Sequence, residues 1–100
     1  MMADLRETAP DAPETRETRL RRLHMRSIRR GIKEMDIILT RYSETRLAEL
    51  DEGMLALYDR MLSENDQDLY RWVTGQEAPP DHLVPLLDDI KATISQGFSA

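Results

Sequence analysis

Arg30-Gly31-Ile32-Lys33-Glu34 places a guanidinium, a residue with no side chain and a carboxylate within five positions. A guanidinium presents a planar fork of donors to a carboxylate or phosphate, and a carboxylate presents acceptors. Such a group can recognise a partner, but it contains no nucleophile. The residues that could move protons or form covalent bonds are scattered. His24 and His82 have no carboxylate at a motif spacing, and Ser27 has no base near it in sequence. Glu34 and Asp36 are two apart, so on a helix they diverge, whereas a general acid and base must converge on one substrate. There is no His-x-x-x-His pair, carboxylate-rich metal loop, phosphate loop or dinucleotide glycine pattern. The expectation is a protein that is not an enzyme, with no catalytic, metal or cofactor-binding residue of its own.

The chain that must position these groups has 100 residues, enough for one domain. Its hydrophobic fraction of 40% supports a small core. Four glycines and five prolines are too few for a turn-rich β sandwich, and Leu, Met, Ala, Glu and Arg favour helix. Without cysteine there is no disulfide framework, thiolate nucleophile or Cys-based zinc site. No apolar run is long enough to span a membrane. The acidic N-terminus resembles neither a signal nor a transit peptide, so a cytoplasmic protein is expected.

Residues 1–15 carry acids, Pro10 and Pro13 and little to bury, and read as a disordered tail. Five helices are expected after it, spanning 16–30, 32–48, 52–62, 67–74 and 82–96, with the end frayed from 97 to 100. Leu20 and Leu23 face inward from the first. Ile32, Met35, Leu39 and Tyr42 keep a three-and-four spacing on the second. Asp51 reads as the cap of the third helix, Asp66 as that of the fourth and Asp81 as that of the fifth, with Val84 as an alternative start. Gly75 reads as a stop. Leu69, Trp72 and Val73 point into the core, while Tyr70 points outward. The fold class is therefore all-α, a compact five-helix bundle with a disordered N-terminal tail. Gly31 stands between two helices or inside one. Within a helix it costs roughly 1 kcal/mol relative to alanine, which turns attention to backbone shape or close approach.

Charge is unevenly spread. Residues 16–33 hold eight basic groups and one acid, a net of +7 in a chain of net −5. This block could track phosphates, dock on an acidic protein or complement the protein's own acidic helices. No aromatic residue interleaves with the arginines, which argues against nucleic acid. The alternative function is a small regulatory module, antitoxin-like or nucleic-acid-associated, using residues 16–33.

Arg29-Arg30-Gly31-Ile32-Lys33-Glu34-Met35-Asp36 resembles the R-G-x-x-E signature of the succinate dehydrogenase flavinylation factors, the bacterial SdhE-type proteins and their mitochondrial relatives. The resemblance continues through Tyr58-Asp59-Arg60-Met61-Leu62, Asp66-Gln67-Asp68-Leu69-Tyr70-Arg71-Trp72 and Gln76-Glu77-Ala78-Pro79. It covers about residues 20–92. It implies a monomeric five-helix protein that binds the flavoprotein subunit of succinate dehydrogenase and promotes covalent attachment of FAD to it. For bacterial members it extends to fumarate reductase. It implies a client-binding surface at Arg30, Gly31 and Glu34, assisted by Arg29 and Asp36, with FAD bound to the client and not stably to this chain. Neither nucleic acid nor membrane is an expected partner. Upstream the chain departs from the pattern, with Arg26 where some members have an aromatic residue and Ile28 where cysteine is common.

Overall fold

The computed structural model describes residues 14–97, with side chains to residue 95. Of the expected tail, residues 1–13 lie outside the described residues, as do 98–100 of the expected frayed end. Five α-helices follow in order: α1 Arg16–Ser27, α2 Lys33–Thr45, α3 Glu52–Met61, α4 Asp66–Val73 and α5 Val84–Gly97. Single 3-10 turns at Leu47–Glu49 and Asp81–Leu83 lead into α3 and α5. The described residues contain no strand.

Side-chain caps set most helix starts. Thr15 accepts from the Thr18 amide before α1, and Asp51 from the Met54 amide before α3. Asn65, not Asp66, caps α4 by accepting from the Gln67 amide, which frees the Asp66 carboxylate for another use. Asp81 caps nothing; it opens a 3-10 turn, and Val84 begins α5. Pro85 therefore falls in the first turn, where its missing amide costs no helical bond. Gly75 ends α4 with φ of +82°, in the left-handed region that glycine enters freely.

α1 stops at Ser27, three residues earlier than the hydropathy pattern predicts. The buried Ser27 hydroxyl bonds back to the Leu23 carbonyl and meets the Tyr58 hydroxyl at 2.6 Å. The left-handed residue that turns the chain is Arg29, at φ +58°, not Gly31. Residues 28–32 are a linker, so Arg30 and Glu34 do not share a helical face. α2 ends at Thr45, because the 3-10 turn redirects the chain to bury Leu47 and Leu50.

The apolar faces meet as their spacing predicts. Leu23, Met35, Leu39, Tyr42, Leu55, Tyr58, Leu69, Leu83, Leu86, Leu87 and Ile90 are fully buried. Tyr42 and Tyr58 stack with ring centroids 5.6 Å apart at the centre. Trp72 is core, as expected, and its indole N–H has no partner among the described residues. Tyr70 is half-buried against the core rather than exposed.

Two polar networks clamp the helices. Tyr42 donates to Asp89 at 2.6 Å, and Arg46 donates to both Asp89 oxygens at 3.1 Å, which ties α5 to α2. Burial alone would raise the Asp89 pKa, but the Tyr42 and Arg46 hydrogen bonds and the Arg46 charge hold it below the usual range. Along α1, Arg22 bonds to Glu14 and Asp59, and Arg26 bonds to Asp59 and Ser63. The Arg22 hydrogen bond is the main cause that lowers both Glu14 and Asp59. Arg16 and Arg19 pair with Glu52. The basic block thus lies along the protein's own acids. These pairs are largely solvent-accessible, so each is worth no more than about 1 kcal/mol.

These shifts give stability two pH edges. Carboxylates with depressed native pKa stabilise the fold above their unfolded pKa of about 4 and lose that contribution as pH falls through the native values. Burial pushes Tyr58 up to about 12 against the opposing Ser27 bond and Arg30 charge. The fold therefore loses stability as pH rises past the unfolded tyrosine pKa of about 10. Urea midpoints are expected to be flat from about pH 5.5 to 8.5 and to fall on both sides. Tyr58→Phe should reduce the alkaline edge, the rest of which belongs to Tyr42, raised by burial and its Asp89 bond. Asp89→Asn should reduce the acid edge that Glu14 and Asp59 share. A Tyr58→Phe protein with an unchanged alkaline edge would contradict this assignment.

Candidate functional site

The R-G-x-x-E segment straddles the linker and the start of α2, and its residues divide into two sets. One set holds the linker. Arg30 donates from Nε to Asp66 at 2.8 Å, and its Nη2 lies 2.7 Å from the same oxygen. Its Nη1 donates to the Arg26 carbonyl at 3.2 Å and the Leu62 carbonyl at 3.0 Å. Those carbonyls lie at the C-terminal ends of α1 and α3, where the last peptide groups lack intrahelical donors. Asp66 opens α4, where a negative charge suits the helix dipole. One guanidinium therefore joins three helix ends, and its side chain is only 12% exposed. The donor fork expected to face a partner is turned inward.

Gly31 completes this arrangement. Its amide donates to the second Asp66 oxygen at 2.5 Å. A Cβ built on Gly31 would lie 3.1 Å from that oxygen, closer than ordinary contact allows. Any side chain here would push that oxygen back by a few tenths of an ångström, so the group in close approach to Gly31 is a carboxylate of the protein itself. Asp36 supports the same segment from the other side. It accepts from the Arg29 amide at 2.8 Å and from the Thr40 hydroxyl at 3.3 Å, and so braces Arg29 in its left-handed turn.

The other set faces outward. Arg29, Lys33 and Glu34 are exposed, and no described residue bonds to their side chains. Most of the other arginines from Arg16 to Arg30 are engaged internally, so this mixed-charge cluster stands apart. Ile37, one turn further along α2, is 50% exposed. A groove of about 300 Å³ opens beside it, lined by Glu34, Ile37, Ile38, Tyr70 and Thr74. Sequence reasoning missed Asp66 as the anchor of the motif and missed the groove. An outward isoleucine in a run of three apolar residues was the available signal for the groove.

The groups considered for catalysis are apart. His24 Nδ1 meets Ser43 Oγ at 2.7 Å, Ser27 is locked to Tyr58, and His82 is exposed on a 3-10 turn. No cluster of three metal-capable side chains occurs among the described residues, and no helix is long and apolar enough to cross a membrane.

The described residues form a single helical domain that pairs most of its basic block internally and leaves Arg29, Lys33 and Glu34 exposed. The chain is a member of the flavinator of succinate dehydrogenase family, whose model matches residues 21–94. It is 43% identical over 60 residues to succinate dehydrogenase assembly factor 2, mitochondrial, of Aspergillus terreus, which is 60% of this chain and 20% of that protein. It is 33% identical over 63 residues to the FAD assembly factor SdhE of Legionella pneumophila, 63% of this chain and 80% of that one. Against the assembly factor 2 of Drosophila grimshawi the identity is 33% over 86 residues, 82% and 58% of the two chains. Several mitochondrial relatives are thus spanned over less than two thirds of their length.

The inward set carries a stability prediction. Asp66→Ala leaves Arg30 unpaired in a mostly buried position, and a loss of about 2–3 kcal/mol is expected in urea unfolding. Asp68→Ala, at an exposed ion pair on the same helix, should cost less than about 1 kcal/mol. Equal losses would show that the Arg30 anchor carries no special weight.

Proposed function

We propose that this protein binds the flavoprotein subunit of succinate dehydrogenase and promotes covalent attachment of FAD to it. The docking face is formed by Arg29, Gly31 and Glu34, with Arg30 and Asp36 holding its shape from beneath. One observation carries the assignment of the face. The family signature coincides with the place where a cation pair and a carboxylate stand exposed without a described partner.

The protein's part is conformational. A helper that binds the productive conformation of its client more tightly than others raises the population of that state. Attachment requires a flavin and a client side chain held close, and such positioning lowers a barrier without any group from the helper. FAD then belongs to the client, and this chain holds none stably. A monomer acting in the bacterial cytoplasm is part of the same proposal, with fumarate reductase as a second client of the same chemistry.

Co-expression with the flavoprotein subunit, followed by in-gel flavin fluorescence, tests the reading. Glu34→Ala and Arg29→Ala should each lower flavinylation, and Gly31→Arg should abolish it by crowding both Asp66 and the face. Loss of one charge-assisted contact corresponds to about tenfold weaker binding. Circular dichroism must show helix content unchanged. Folded Glu34→Ala and Arg29→Ala variants with wild-type flavinylation would remove this face from the mechanism.

A further inference from the structure

We propose that the groove beside the motif is the apolar anchor of the docking face, and that it seats one large apolar side chain of the client next to a basic group held by Glu34. This rests on the client assignment made above and extends it from charge to shape.

The outward side of α2 is otherwise polar or charged where it is exposed: Lys33, Glu34, Arg41, Glu44 and Thr45. Ile37 interrupts it with half its surface in water. Single exposed apolar residues are common on proteins and need no explanation. This one is continuous with a concave site, because Ile37 and Ile38 form one wall, and Tyr70 of α4 and Thr74 at its C-terminal end form the other. The floor is firm. Ile38 is buried, Tyr70 packs on the core, and the Thr74 hydroxyl bonds to the Tyr70 carbonyl at 2.7 Å. A concave apolar site on a rigid base is where interfaces concentrate their binding energy.

The position of the groove selects the occupant. Glu34 belongs both to the signature and to the groove rim, so a segment bound across the motif reaches the groove without a gap. Glu34 has no partner among the described residues and accepts a lysine or arginine beside the anchoring side chain. Arg29 and Lys33 flank the motif and suit an acid further along the same segment. A volume of about 300 Å³ holds a leucine or phenylalanine side chain and is at the floor of roughly 300–1,000 Å³ for small-molecule sites, which disfavours a dinucleotide.

The test is titration of the purified flavoprotein subunit against the full chain, with flavinylation followed in parallel. Ile37→Asp and Ile37→Ala should weaken binding by about tenfold or more, and Ile37→Leu should restore it. Val84→Asp, an equivalent change at an exposed site on α5 outside the groove, should bind as the parent does. If Ile37→Asp binds like the parent while Glu34→Ala does not, the groove proposal fails and the docking face stands. If both bind like the parent, the face itself fails. Saturable binding of free FAD that Ile37→Asp abolishes would overturn the proposal in favour of a flavin seat.

Discussion

The geometry of the linker depends on one carboxylate. Asp66 accepts from the Arg30 side chain with one oxygen and from the Gly31 amide with the other. Arg30 in turn closes the ends of α1 and α3 through the Arg26 and Leu62 carbonyls. Each contact answers a requirement that helix ends impose: unpaired carbonyls need donors, and the start of a helix favours an anion. Were the linker free, Arg29 would have no fixed relation to α4, whereas Lys33 and Glu34 ride on α2, which the core already packs against α4.

This arrangement separates two roles within six residues. The Arg30 side chain turns inward and the exposed Gly31 offers its amide, and hydrogen bonds set the spacing of both to Asp66. Arg29, Lys33 and Glu34 face water. A sequence signature does not say which of its members touch a partner and which hold the others in place. Here the half-buried anchor Asp66 sits some 35 positions from the motif it serves, on a different helix.

Much of the architecture was legible because it follows from local rules. The positions at three-and-four spacing, from Met35 through Tyr42 and from Leu83 through Ile90, are the ones that pack. Asp51 and Gly75 act as their types predict. The errors share a cause. The early stop of α1, the shift of the α4 cap from Asp66 to Asn65 and the inward turn of Arg30 all depend on contacts between residues distant in sequence. Asp66 is a plausible cap by type, and only the position of the linker explains its other use. The charge block was ambiguous for the same reason: composition shows +7 over residues 16–33 but not that Glu14, Glu52 and Asp59 lie against it. The family, by contrast, was accessible from an ordered set of short motifs.

Arg29 holds a backbone conformation that costs a residue with a Cβ roughly 1–2 kcal/mol. Asp36 offsets part of that cost by accepting the Arg29 amide. Glycine at this position would relax the chain and delete the exposed cation in the same step. Backbone ease and an outward positive charge therefore pull in opposite directions at a single residue.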